Sequence, residues 1–447
     1  MTQTYHTKAL RRKQSKKLFA SGFWLRWRAL TTGERFVCAN IILIPIWWTT
    51  GLYDYLPILL LLSVGLYEWR QHGKLNLTRP SWSVMAALAF GIYQLARVAI
   101  FYYEPRTIKF FSIVSVVFCP TIWLWYIQSK NIRLRIEPIA WACAVNVIQM
   151  LGFWFLLQFV LPSSIFPLPT IYGLITGTAS SLAGSLSPFR TISGNIAGFC
   201  RCQLFFIFPS FFALFVGFLS LVSLEIKNRL WSWLLFVACV FLLLLSATRA
   251  VWVALPIVLG LRYLFSNYGR RWVPVLVFAL IAVGSFLVFS LPVFTDLVLN
   301  QFTDLADTIN NYRADSSSTR LEIYRQTWLG ILENPLWGHL TTGPTINAYA
   351  QDYEIVGSHS VLLGNLLYLN GIVGTGLFLS FWFSLLYWLY KTRAGRPLLC
   401  FCLWFLYTFV AFTMDTAYGM SISSLPILVS IAIRNPQPKF VQGVRNA

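Results

Sequence analysis

Apolar runs close to bilayer length recur along almost the whole chain. They fall near residues 36–52, 53–69, 81–101, 108–128, 139–160, 198–224, 230–247, 250–265, 272–291, 360–390, 398–414 and 419–433. A hydrocarbon core takes about 20 helical residues to cross, so this spacing predicts about twelve transmembrane helices. Helices satisfy their own backbone in lipid, which makes an all-α polytopic bundle the expected fold. Composition agrees: 57% of residues are apolar and 11% charged, whereas soluble domains carry about 25% charged residues.

The connections decide the orientation. Basic residues cluster in every second one: Arg70, Lys74 and Arg79; Lys130, Arg133 and Arg135; Lys227 and Arg229; Arg262, Arg270 and Arg271; Lys391, Arg393 and Arg396; then Arg434, Lys439 and Arg445. Residues 1–35 add Lys8, Arg11, Arg12, Lys13, Lys16 and Lys17, with no apolar stretch right behind them. They read as a cytoplasmic leader rather than a cleavable signal peptide. Its Leu18, Phe19, Phe23, Trp24, Leu25 and Trp27 suit a surface-lying anchor for anionic lipid. The positive-inside pattern places both termini in the cytoplasm. The net charge of +20 is thus a membrane signature, and no groove-binding motif points to nucleic acid. The eight cysteines fall mostly inside apolar runs. They read as buried thiols, and the i, i+2 pairs Cys200/Cys202 and Cys400/Cys402 point to different sides of a helix.

Five segments follow: a leader at 1–35, a membrane domain with nine spans at 36–291, a large outer loop at 292–358, a second membrane segment with three spans at 359–434, and a cytoplasmic tail at 435–447. An earlier outer connection, roughly 161–197, is rich in Ser, Gly, Pro and Thr. The large loop holds Asp296, Asp304, Asp307, Asp315, Glu322, Glu333, Asp352 and Glu354, more than half of the 15 acidic residues. A loop of that length is expected to contain its own helix. Thr319 and Glu322 fit a capping box, and Leu321, Tyr324, Trp328 and Ile331 follow helical spacing. Pro335 and Gly338 would end it.

Four positions could carry chemistry. Arg190 precedes the sixth span in PFRTISGN, with Gly194 after it. Arg249 stands at the junction of spans seven and eight in LLSATRAVW. Arg320 would occupy the first turn of the loop helix, and His359 opens span ten. Each has a plain reading beside it. Arg190 suits an interfacial snorkeller, Arg249 a structural ion, Arg320 a solvated helix arginine, and His359 an interfacial residue. His339 suits a loop hydrogen-bonder. Taken together they say more. Guanidinium forks on the non-cytoplasmic side match a diphosphate, and a nearby imidazole takes a proton from a hydroxyl near neutral pH. A lipid-linked diphosphate sugar needs both.

The elements FRTISGN, LLLLSATRAVWVAL, STRLEIYRQTWLGILENPLWG and SHSVLLGNLLYLNGIVGTGLF occur in an order that resembles the O-antigen ligase and O-antigen polymerase superfamily. There are departures: Ser360 follows His359 where the family commonly has Asn, His339 replaces a second glycine, and Ile196 follows Asn195. The resemblance implies a GT-C type glycosyltransferase in the bacterial inner membrane, with a partly helical periplasmic loop before span ten. It implies an inverting reaction, without a metal or other cofactor, on an undecaprenyl-diphosphate-linked glycan. The acceptor would be a glycan or a lipid A-core type anchor. His359 would be the general base, and Arg190, Arg249 and Arg320 would hold the diphosphate. Arg325, His339 and Ser360 are further expected substrate contacts. The loop carboxylates meet sugar hydroxyls or keep the loop solvated, and Tyr312, Tyr349 and Tyr353 stack on sugar rings or pack the loop. Ligase and polymerase differ only in acceptor, and both readings stay open. The competing class is a transporter of an inorganic anion such as bicarbonate. That class should show paired, broken helices meeting at the midplane.

Overall fold

A computed structural model describes residues 27–28, 30–52, 55–73, 77–101, 110–111, 113–130, 132–161, 166–177, 185–190, 201–267, 314–345, 355–358, 360–393, 395–413 and 432–433. The chain is mostly helical. Its described elements are α1 (Thr32–Ile42), α2 (Ile44–Thr50), α3 (Leu56–His72), α4 (Trp82–Phe101), a π-turn (Val114–Phe118) running into α5 (Cys119–Ser129), and β1 (Leu134–Arg135). After these come α6 (Ile136–Phe159), β2 (Leu168–Pro169), α7 (Ile171–Thr176), β3 (Ser185–Leu186), β4 (Phe189–Arg190), β5 (Arg201–Cys202), α8 (Pro209–Ser223), α9 (Arg229–Leu245) and α10 (Arg249–Asn267). The last are α11 (Ala314–Glu333), a π-helix (Ser360–Tyr368) continuing into α12 (Leu369–Lys391), α13 (Leu399–Thr413) and β6 (Ala432–Ile433).

By length and composition, four described helical segments can cross a membrane: Trp82–Phe101, Ile136–Phe159, Ala250–Asn267 and Ser360–Lys391. Val114–Ser129, Pro209–Ser223, Arg229–Leu245 and Leu399–Ala411 are shorter apolar helices. Expected runs 272–291 and most of 419–433 lie outside the described residues. Runs 36–52 and 198–224, like 360–390 below, are not single helices. Residues 36–52 break into α1 and α2 at Leu43, with Pro45 in the first turn of α2. The expected sixth span starts only at Pro209, after the extended Phe208 (φ −132°). A proline at the first turn suits a helix start, because its missing N–H is not needed there. Residues 201–208 instead form β5 and turns. Cys202 therefore sits on a strand, contrary to the helical expectation. All seven described cysteines are buried thiols.

The core is one apolar cluster centred on α8. Phe211, Phe212, Leu214, Phe218, Leu219 and Leu221 of that helix are buried on all sides, against α6, α9, α10 and α13. A helix that is apolar all round belongs inside a bundle.

One end of the bundle is basic and ion-paired. Arg135 reaches Glu34 through Nε and Nη2 at 2.7 and 2.8 Å. Lys130 pairs with Glu68 at 2.9 Å, Lys227 with Glu137 at 2.9 Å and Arg262 with Glu225 at 2.9 Å. The parallel pairing of Leu134–Arg135 with Ala432–Ile433 joins the same end. These four cations belong to the basic connections read from the sequence. Their partners are acids outside the large loop. Burial pushes the Glu34 carboxyl up, but hydrogen bonds from Arg135 and Thr31, with the Arg135 charge, outweigh it and hold the group below the usual carboxylate value of 4.5. A lowered folded-state value contributes stability that is present above the unfolded value and lost as pH falls through the folded one. Thermal unfolding in detergent should therefore fall off below about pH 4.5. Arg135→Ala leaves Glu34 buried and unpaired, which should cost about 3 kcal/mol. An unchanged melt in that variant would show the pair to be idle.

Candidate functional site at the far end of the bundle

The opposite end gathers the elements that carry the candidate residues. Phe189–Arg190 pairs antiparallel with Arg201–Cys202, Arg190 opposite Arg201. Gln203 and Leu204 donate their N–H groups to Pro188 O at 3.0 and 3.1 Å, closing the hairpin just before α8 begins. Phe205 then stacks on Phe153 of α6, with centroids 5.0 Å apart.

Arg249 is the first residue of α10, directly after the tight turn that joins it to α9. That turn, Ser246-Ala247-Thr248, is held by its hydroxyls. Ser246 Oγ donates to Leu243 O (2.6 Å) and accepts from Thr248 N (3.3 Å). Thr248 Oγ1 is 3.3 Å from Pro209 O. Ser246 and Thr248 are buried. The Ser-x-Thr-Arg spacing thus has a local reason: two small hydroxyl residues satisfy a buried turn, and the arginine follows as the helix starts. The Thr248–Pro209 contact brings the Arg249 turn and the Arg190 hairpin to the same end of α8.

Arg320 lies elsewhere on its helix than expected. α11 begins at Ala314, so Arg320 falls in the second turn and the Thr319/Glu322 capping box does not form. Ala and Asp suit a helix start through propensity and the dipole. Glu322 instead accepts from Gln326 Nε2 at 2.7 Å and pairs with Arg325 at 3.5 Å. At that position the field of the helix end has faded, so it adds little to anion binding by Arg320. The expected stop is correct: the helix ends at Glu333. Its packed face is Ile323, Thr327 and Ile331, while Trp328 is exposed.

His359 lies outside the described residues, as do Gly194, Tyr312, Tyr349 and Tyr353. Its neighbours are placed. Ser358 Oγ donates to Ile355 O at 2.7 Å. Ser360 is buried, has φ 67° and accepts the Leu363 N–H at 3.3 Å. It opens the π-helix, and its hydroxyl is engaged as a helix start. Arg325 is well exposed on α11. His339 takes the plain role of a loop hydrogen-bonder. Its Nε2–H donates to Gly330 O at 2.7 Å, and its ring stacks on Tyr368 at 4.6 Å.

The joint that fixes this region was not read from the sequence. The helix through residue 368 breaks at Gly371 (φ 65°, ψ −173°). The turn after α11 lies in that break. Ile372 N donates to Pro335 O (2.8 Å), His339 N to Tyr368 O (2.8 Å) and Leu340 N to Leu369 O (3.1 Å). Arg97 of α4, buried, locks it. Nη1 donates to Leu369 O at 2.7 Å and Asn370 Oδ1 at 3.4 Å, and Nη2 to Gly338 O at 3.3 Å. Tyr93 Oη donates to Asn370 O at 2.8 Å. An arginine inside the apolar run 81–101 was itself the signal, because such a charge is costly in a bilayer unless it has work to do. Arg97→Leu leaves Leu369 O with only the Leu340 N–H and takes the Nη2 donor from Gly338 O, a loss of about 1–3 kcal/mol. Arg97→Lys should rescue little, as one ammonium lacks the fork. Both variants are expected to melt lower than the parent in detergent, and a melt at the parent temperature would dismiss the clamp.

The turn around Arg249, α11, residue 359 and the Gly371 break all fall within residues 234–381, which match the family model described as O-antigen ligase. This match over residues 234–381 supports the O-antigen ligase and polymerase superfamily. No curated protein and no solved structure matches the chain.

Proposed function

Working from that match, we propose that the protein is a membrane glycosyltransferase. It transfers or polymerises a glycan carried on undecaprenyl diphosphate at the periplasmic face of the bacterial inner membrane, with both termini cytoplasmic. The observation that carries this reading is the family match across residues 234–381.

In the proposed reaction the acceptor hydroxyl loses its proton to His359 and attacks the anomeric carbon with inversion. The bond to the diphosphate breaks, and the departing oxygen takes the electron pair. Arg190, Arg249 and Arg320 hold that diphosphate and balance its growing charge, as fixed donors do in a site closed to water. With a leaving group this good, arginines suffice in place of a metal. The gathering of the Arg190 hairpin and the Arg249 turn at one end of α8 supports the reading. The transport alternative gains no support. The one broken helix described near the site has its Leu369 carbonyl and Asn370 carbonyl taken by Arg97 and Tyr93, so they are not left open to an ion.

Glycan profiling of a deletion strain tests the function. Single repeat units left on their anchor would identify a polymerase. Loss of attached glycan, with polymer accumulating on the carrier lipid, would identify a ligase. An unchanged profile, in a strain with no second enzyme of this kind, would overturn both.

A further inference from the structure

α11 lies in the large outer loop, yet one of its faces is apolar and uncovered. Trp328 is 52% exposed and Leu332 60%, and Leu329 is open beside them. The strip continues into the following turn, where Leu336 and Trp337 (56%) are also exposed. These residues lie on the far side of the helix from Ile323, Thr327 and Ile331, which pack toward the π-helix. An apolar strip of this size needs an occupant.

The strip joins another apolar surface. Val373 N donates to Leu336 O at 3.3 Å, and Ile372 N to Pro335 O at 2.8 Å, so the turn is fastened to α12 at Ile372 and Val373. Ile372 is itself 54% exposed. On the other flank Trp337 stacks on Tyr93 of α4 with centroids 6.2 Å apart and planes at 20°. α4 in turn exposes Ile92, Ile100 and Phe101. Both helices belong to segments long and apolar enough to span a membrane. Their outward apolar residues face lipid, and the strip on α11 extends that surface, with the exposed Glu333 and Asn334 at the bend between Leu332 and Leu336. Two tryptophans on it suit the head-group boundary, where indoles concentrate.

We infer that the end of α11 from Trp328 onward and the turn at 335–338 are seated in the lipid bilayer, at the boundary between head groups and acyl chains. The occupant of the strip is lipid. Through Gly338 and Arg97 this seat holds the broken helix at a fixed depth, so the bilayer surface sets the height of the segment that leads to residue 359. That last consequence rests on the proposed function, whereas the seat itself rests only on the membrane character of α4 and α12.

Nitroxide labels at Leu332→Cys and Leu336→Cys test the seat in proteoliposomes of phosphatidylethanolamine and phosphatidylglycerol. Arg325→Cys provides the aqueous reference, and label taken up by the parent chain is subtracted. At 332 and 336, collision with dissolved oxygen should exceed collision with a water-soluble nickel chelate. At 325 the order should reverse. Nickel-dominated collision at both 332 and 336 would put the strip in water and overturn the inference. Immobilised labels closed to both reagents would also overturn it, in favour of a protein partner or a second copy. Either failure leaves the glycan profile, and hence the proposed activity, unaffected.

Discussion

His359→Ala is expected to reduce turnover of the lipid-linked donor by about 10²–10⁴-fold, the usual worth of a general base. The protein should still insert, because one polar residue at the start of a long apolar helix contributes little to its partition into lipid. The loss should appear in kcat more than in KM, as the proton moves only while the new glycosidic bond forms. Arg249→Ala should also abolish transfer, through the leaving diphosphate rather than the acceptor. Ser358 is tied to Ile355, and the buried Ser360 starts a helix that packs against α11, α12 and α13. Donor turnover at the parent rate by purified His359→Ala would withdraw the base assignment and leave the family match standing.

Gly371→Ala should inactivate the protein as completely, for a different reason. Gly371 combines φ 65° with ψ −173°, a backbone region essentially confined to glycine. A Cβ there would lie 2.5 Å from Leu336 C and 2.7 Å from Trp337 C. Those are backbone atoms of a turn already fastened to Ile372, Val373 and Arg97, so they have nowhere to go. Gly338 faces it with φ 71°, and a Cβ on that residue would lie 2.6 Å from Gly371 N. The two glycines let two backbones touch. Alanine at either position should separate the turn from the break, release the Gly338 carbonyl from Arg97 and lower the melting temperature. Conformational strain alone is worth about 1–3 kcal/mol, and the backbone overlap adds to it. Activity should fall with the fold of this joint while the remaining spans persist in helix content. Parent-like activity in Gly371→Ala would mean that the turn is not packed in the break.

The basic end of the bundle was largely legible. Charge placement obeys insertion, a one-dimensional rule, so the connections bearing Lys130, Arg135, Lys227 and Arg262 could be assigned to one face from the sequence. The structure added their partners, Glu68, Glu34, Glu137 and Glu225. The end of α11 at Glu333 was also legible, since Pro335 and Gly338 act locally. Its start was not. A capping box is a short pattern that also arises by chance, and Glu322 found Gln326 and Arg325 instead of the backbone. The apolar run at 198–224 misled in the same way, because hydropathy does not distinguish a strand and turns from the first coils of a helix.

By itself the sequence determined that this chain is a helical membrane protein, which connections carry its positive charge, and which superfamily its residues 234–381 resemble. These follow from hydropathy, from charge and from residues close together along the chain. The tertiary structure decided the rest. It set Thr248 against Pro209, bent a continuous apolar run at Gly371, turned Trp328 outward, and gave Arg97 of α4 the carbonyls of Gly338 and Leu369. Those carbonyls are open to a side chain only after a helix has broken and a distant turn has filled the gap. No pattern along the chain encodes that pairing, because its energy arises from backbone groups that every residue shares.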